Sequence, residues 1–150
     1  MSPDFNGSPE TEIVSIRIVN EPLEKVFEAW SNAEYLKKWW GPKGFTNTFH
    51  EFDFKVGGKW IFTMHGPEKG NYPNDCEFTK IEKPTLIAWK RYSQPIFRVV
   101  TSFEDCKGKT KIIFRMVFNS AEERNKLIKF VPKKNEENFD KLEEVLSAMV

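Results

Sequence analysis

Cysteine is scarce: Cys76 and Cys106 are the only two in 150 residues, and neither belongs to a C-x-x-C pair. That spacing argues against a zinc ribbon or a dithiol redox site, and both thiols are expected to be free, one or both packed in a sheet. Histidine is as rare, with His50 and His65 alone. Two such ligands without a nearby third make a poor metal site, so no metal is expected. An excess of one charge is also missing. Lysine and arginine number 23 against 22 acidic residues, which gives composition no electrostatic case for a nucleic-acid partner. No apolar run approaches the ~20 residues of a membrane-spanning helix, and the opening residues MSPDFNGSPET lack the basic-then-apolar plan of a signal peptide. No membrane insertion is expected, and the expected location is cytoplasmic. The chain contains no G-x-S-x-G, HExxH, phosphate-loop or dinucleotide fingerprint, so no standard hydrolase, zinc protease or nucleotide enzyme is indicated, and no cofactor.

What the chain has in quantity is rings. Aromatics make up 15% of it, with 14 phenylalanines and 5 tryptophans, and they concentrate in Leu36–Met64, LKKWWGPKGFTNTFHEFDFKVGGKWIFTM. The length suits one domain over 11–150 after a loose, proline-containing tail over 1–10. A strand is expected over Thr11–Val19, with Ile13, Ser15, Arg17 and Val19 on one side. Pro22 suits a first helical position, and Leu23, Val26, Phe27 and Trp30 recur at the spacing of one buried helix face. Ser31 with Glu34 reads as a capping box that starts a second short helix, which Gly41-Pro42 ends. A hairpin follows. With Gly57-Gly58 as a two-residue turn, Phe49, Glu51, Asp53, Trp60, Phe62 and Met64 share one face, and Phe52, Phe54 and Ile61 the other. The same register sets His50 opposite His65.

Four further strands are expected, near Asp75–Glu82, Leu86–Ser93, Ile96–Glu104 and Thr110–Phe118. Their short connections favour antiparallel neighbours. In the last of them Ile112, Phe114, Met116 and Phe118 are placed inward. Ser120 with Glu123 repeats the capping pattern, Pro132 is expected to interrupt the helix it starts, and Phe139, Leu142, Val145, Leu146 and Met149 hold helical spacing to the end. This longest helix has only the sheet to cover.

The order strand, two short helices, meandering strands and long terminal helix resembles the helix-grip fold of the START-like, or SRPBCC, superfamily. Within it the chain resembles the activator of heat-shock protein 90 ATPase homologues. The resemblance rests on Leu36-Lys37-Lys38-Trp39-Trp40-Gly41-Pro42 with Gly44-Phe45-Thr46, on Asp53-Phe54-Lys55-Val56-Gly57-Gly58-Lys59-Trp60, and on Ile81-Glu82-Lys83-Pro84 and Phe139-Asp140-Lys141-Leu142. It implies an α+β fold whose curved antiparallel sheet, of six or seven strands, wraps the terminal helix around a pocket for an apolar molecule. Lys134-Asn135 stands where relatives often have Gly-Trp, which implies a more open or polar mouth, and Cys76 replaces a frequent glycine, which narrows the cavity. The expected ligand-binding residues are Trp39, Phe49, Glu51, Asp53, Trp60, Phe62, Met64, Phe78, Phe114, Met116, Phe139 and Leu142, with no catalytic residue assigned. Three functions follow as expectations: a non-enzymatic carrier or sensor of a small hydrophobic molecule, a cyclase-like enzyme that moves protons through Glu51 or Asp53, and a co-chaperone-like module with a chaperone partner.

Overall fold

Alternation in the first strand divides the molecule into an inner and an outer side. In the computed structural model, which describes residues 9–149, β1 (Glu12–Val19) buries Ile13, Ser15 and Val19 and leaves Val14, Ile16 and Ile18 exposed. Residues 1–8 of the expected tail lie outside the described residues. The helices α1 (Leu23–Ser31) and α2 (Ala33–Trp39) follow, then β2 (Thr46–Phe52), β3 (Lys59–His65), β4 (Asn71–Glu82), β5 (Leu86–Arg91), β6 (Phe97–Cys106), β7 (Lys109–Phe118), α3 (Ala121–Leu127) and α4 (Val131–Ala148). All seven strands form one antiparallel sheet in the order β1-β7-β6-β5-β4-β3-β2. Short connections join sequential neighbours from β2 to β7, whereas β1 lies at the opposite edge from β2, is linked to it through α1 and α2, and pairs with β7.

One local expectation is corrected. Asn32, not Ser31, caps α2: its Oδ1 accepts from the Glu34 amide at 3.0 Å, while Ser31 completes α1. The expected interruption is present: the helix begun at Ser120 ends at Leu127, and Pro132 sits in the first turn of the separate terminal helix, where its missing N–H has no intrahelical role. The cap at Ser120 forms as expected, with Oγ accepting from the Glu123 amide at 3.2 Å.

Helix α4 lies over the inner face beside β1 and buries Phe139, Leu142 and Leu146. Phe139 meets Phe114 of β7 edge to face, with centroids 6.2 Å apart. A charge clasp fixes the helix to the sheet's edge. Arg17, inward on β1, pairs with Glu136 at 2.7 Å, with Asp140 at 3.1 Å and with Glu143, three carboxylates on one helix face. Burial alone would lower the Arg17 pKa; the hydrogen bonds to Glu136, Glu143 and Asp140 outweigh it, so the net shift is upward. The guanidinium also lies 5.6 Å from the Phe139 ring centroid.

Replacing Arg17 by methionine keeps the packing stem but leaves three carboxylates to repel one another. The variant is expected to lose ~1–3 kcal/mol of stability in urea denaturation, and the loss should shrink in 1 M salt, where the residual repulsion is screened. An unchanged urea midpoint would mean that the apolar face alone holds α4.

Candidate functional site

The aromatic hairpin adopts a register different from the one a two-residue turn would impose. Thr46 opposes His65, Phe49 opposes Phe62, and after an irregularity around His50 the pairing resumes with Glu51 opposite Ile61 and Phe52 opposite Trp60. Residues 53–58 form a longer loop. The Asp53 amide donates to Lys59 O at 2.9 Å, and the Gly57 amide donates to Phe78 O of β4 at 2.8 Å, with the Phe78 amide answering to Gly58 O at 3.0 Å. A side chain at Gly58 would place its Cβ 1.9 Å from Asp53 O, so docking this loop on β4 requires glycine there. The extra residue at His50 is a β-bulge, which reverses the phase of the strand end.

That reversal turns Phe52 and Phe54 inward and both carboxylates outward. Phe52 meets Trp60 at 6.0 Å and Phe54 meets Phe78 at 5.1 Å, whereas Glu51 is exposed and Asp53 pairs with Lys55 at 3.5 Å in solvent. The expected cavity positions of Glu51 and Asp53 are thereby corrected. The histidines also separate: His50 Nε2 bonds Thr63 at 2.9 Å, and His65 bonds Thr48 and Asn71, each at 2.7 Å. Among the described residues no group of three or more His, Cys, Asp or Glu is placed to hold a metal ion.

Between the sheet and the N-terminal half of α4 lies a cavity of about 250 Å³. Its floor is a trio of tryptophans packed edge to face, Trp40 to Trp60 at 5.2 Å, Trp60 to Trp89 at 5.4 Å and Trp40 to Trp89 at 5.7 Å. Phe62, Val99, Phe114 and Met116 continue the apolar wall. At the rim, where lining residues gain exposure, stand Pro42, Met64, Phe97, Val131, Lys134 and Asn138. A polar end is made by Arg91, Asn74 and Cys76 on neighbouring strands. Asn135 is buried on α4, its amide donating to Ser15 Oγ at 3.1 Å. Trp60 Nε1 and Asn138 Oδ1 are buried without a hydrogen-bond partner among the described residues.

Helix termination sets which tryptophan of the adjacent pair reaches the cavity. Helix α2 ends at Trp39, whose indole N–H donates to Ala29 O at 3.0 Å inside the core. Trp40 leaves helical geometry at φ −65°, ψ 134° and lies against the cavity. Gly41 follows at φ +100°, where a Cβ would stand 2.8 Å from Met64 Cε. This corner is pinned from both sides: Asn47 Nδ2 donates to Trp40 O at 2.7 Å, and Lys141 Nζ of α4 donates to Gly41 O at 3.2 Å and Phe45 O at 3.0 Å. Burial lowers the Lys141 pKa.

Of the twelve residues expected to bind ligand, Trp60, Phe62, Met64, Phe114 and Met116 line this cavity. Trp39, Phe78, Phe139 and Leu142 are buried in the packed core behind it, and Phe49 packs on Phe62 and Trp60 from the hairpin's end. Of the adjacent pair the sequence reading chose Trp39 where Trp40 lines the cavity, and it passed over Trp89, Arg91, Asn74, Val99 and Asn138 as lining residues. One signal was present: Ile87, Trp89 and Arg91 hold a single phase of β5, so an inward tryptophan brings an inward arginine with it.

A seven-stranded antiparallel sheet, two short helices after the first strand and a long terminal helix over a ring-lined cavity define the START-like, helix-grip class. Within that class the chain belongs to the family described as Activator of Hsp90 ATPase homolog 1-like protein, whose model matches residues 20–147. Solved structures share the architecture over nearly the whole chain. A Nitrosomonas europaea protein matches with a TM-score of 0.87 at 21% identity, covering 94% of this chain and 97% of its own. A Rhodobacter sphaeroides protein gives 0.87 at 19%, covering 97% of each chain, and the AHSA1 protein of Silicibacter pomeroyi gives 0.76 at 19%, covering 91% and 98%. At such identities the likeness carries the fold and no ligand. No curated protein matches the chain.

Burial pushes the Cys76 thiol up from an ordinary 9.0 to about 12, against the opposing field of Arg91. A raised folded-state pKa contributes stability below the unfolded value and loses it as the pH climbs toward the folded one, so this contribution should fade above about pH 9. Native alkylation at pH 8 should label the half-buried Cys106 and spare Cys76, with both labelled in denaturant; fast native labelling of Cys76 would contradict its placement.

Proposed function

We propose that the protein binds a small apolar molecule, aromatic or acyl, in the cavity between sheet and α4, and serves as a non-catalytic carrier or sensor. The observation that carries this reading is the tryptophan-floored space itself. Rings packed into an ordinary core leave few voids larger than a water molecule, and an apolar cavity of ~150 Å³ already accepts benzene. A volume of about 250 Å³ therefore suits a two-ring aromatic or an acyl chain of similar bulk. Such a ligand would bury ~200 Å² of its own surface and a comparable area of wall, ~10 kcal/mol gross at ~25 cal/mol per Å². After association costs of ~4 kcal/mol or more, a Kd of tens of micromolar is expected.

A cyclase-like mechanism of the expected kind needs a carboxylate against the ligand, and among the described residues none lines the cavity. The family's description names the Hsp90 ATPase; the carrier reading expects no stimulation of that ATPase by this chain.

The test uses the neutral fluorescent probe N-phenyl-1-naphthylamine with the intact protein. The probe is expected to bind and to quench the cavity tryptophans, and Val99→Phe, which grows a ring into the void, is expected to weaken binding at least tenfold with an unfolding midpoint within a few degrees of the wild type. Probe binding unaffected by Val99→Phe would place the ligand elsewhere. Native mass spectrometry of protein from its own host would then identify any retained molecule.

A further inference from the structure

Resting on the reading of the cavity as a ligand site, we infer that the ligand is an acid: an aromatic or acyl carboxylate whose apolar part fills the tryptophan end and whose carboxylate meets Arg91. The inference begins with an arginine that lacks a counter-ion. Arg91 ends β5 in the inward phase and reaches the cavity wall half-buried. Its Nε donates to Ser93 O at 3.1 Å, one Nη to Gln94 O at 2.9 Å and the other to Asn74 Oδ1. Every one of these acceptors is neutral, and together they hold the guanidinium while using three of its five N–H groups.

No carboxylate among the described residues forms an ion pair with it, in contrast to Arg17 with three. The two acids that flank its β4 partner Cys76 are engaged elsewhere, Asp75 with Lys59 at 3.0 Å and Glu77 with the Tyr92 hydroxyl, which donates to it at 3.4 Å. The Cys76 thiol beside it stays protonated at neutral pH. A charge withdrawn from water is costly unless it is paired, and here the place for the partner is the cavity.

The remaining wall supports the same sign. Among the described residues two charged side chains line the cavity, Arg91 and Lys134, and both are cations, although the chain as a whole is almost neutral. The indole N–H of Trp60 adds a buried donor without an acceptor. Asn138 Oδ1 on the α4 side is an unanswered acceptor, but a wall whose charges are both positive and that has no carboxylate among the described residues disfavours a cation, and a neutral hydrocarbon has no charge to set against Arg91. A carboxylate matches the planar guanidinium and forms charge-assisted bonds with it.

The experiment compares 2-naphthoate with 2-naphthamide, equal in shape and different in charge, as displacers of N-phenyl-1-naphthylamine from the intact protein at pH 7.5. The acid is expected to bind at least tenfold more tightly than the amide. Arg91→Met should bring the acid down to the affinity of the amide, whereas Lys134→Met should preserve the preference. Should Arg91→Met fail to fold by circular dichroism, the Arg91 Nε–H resonance of the wild type decides: it should shift with naphthoate and not with the amide. Equal affinities in the wild type, a preference that survives Arg91→Met, or one that vanishes with Lys134→Met would overturn the inference while leaving the carrier reading intact. If the probe and both naphthalenes fail to bind at all, the carrier reading falls and this inference with it.

Discussion

The cavity depends on a change of character halfway along α4. From Phe139 onward the helix turns Phe139, Leu142 and Leu146 to the sheet, and these side chains are buried against it. Before Phe139 the same side presents Val131, Lys134, Asn135 and Asn138. Amides cannot pack into a ring-lined wall without losing hydrogen bonds. Asn135 finds Ser15, Asn138 Oδ1 finds no protein partner, and the space between them and the tryptophans stays open. One half of the helix is therefore an anchor and the other a roof. The Arg17 clasp and the bonds of Lys141 to the Gly41 corner hold the roof at its height.

The corner and the hairpin supply the opposite wall by a similar division. Backbone geometry at the end of α2 sends Trp39 into the core and Trp40 to the cavity, although the two are adjacent and chemically identical. The bulge at His50 acts in the same way on β2, moving phenylalanines inward and acids outward. The result is a wall of rings with a cationic end, and the succession Trp89 then Arg91 along β5 gives the cavity a direction.

Much of this architecture was legible in the sequence. Periodicity located the strands and helices to within a few residues, and the WWGP and VGG-containing segments pointed to the helix-grip family that the chain belongs to. The candidate site was less legible, and the reason is specific. Assigning cavity residues from a hairpin requires its register, and the dipeptide Gly57-Gly58 resembles a two-residue turn when its neighbours are unknown. The glycines instead serve contacts with Phe78 on β4, a strand distant in sequence, so the preference for a tight turn lost to tertiary hydrogen bonds. Glu51 and Asp53 were misplaced by that one shift. Arg91 and Trp89 were passed over because nothing local marks β5 as the middle of the sheet.

By itself, then, the sequence determined the kinds and order of elements, the ring-rich inner face and the apolar stripe that seats α4, because these follow from the period of side chains along one segment. Only the tertiary structure decided which of two neighbouring tryptophans meets the cavity, that the hairpin's acids face water, and that an arginine with no ion-pair partner among the described residues closes one end. Those outcomes depend on hydrogen bonds and contacts between segments far apart in the chain, and no local pattern encodes them.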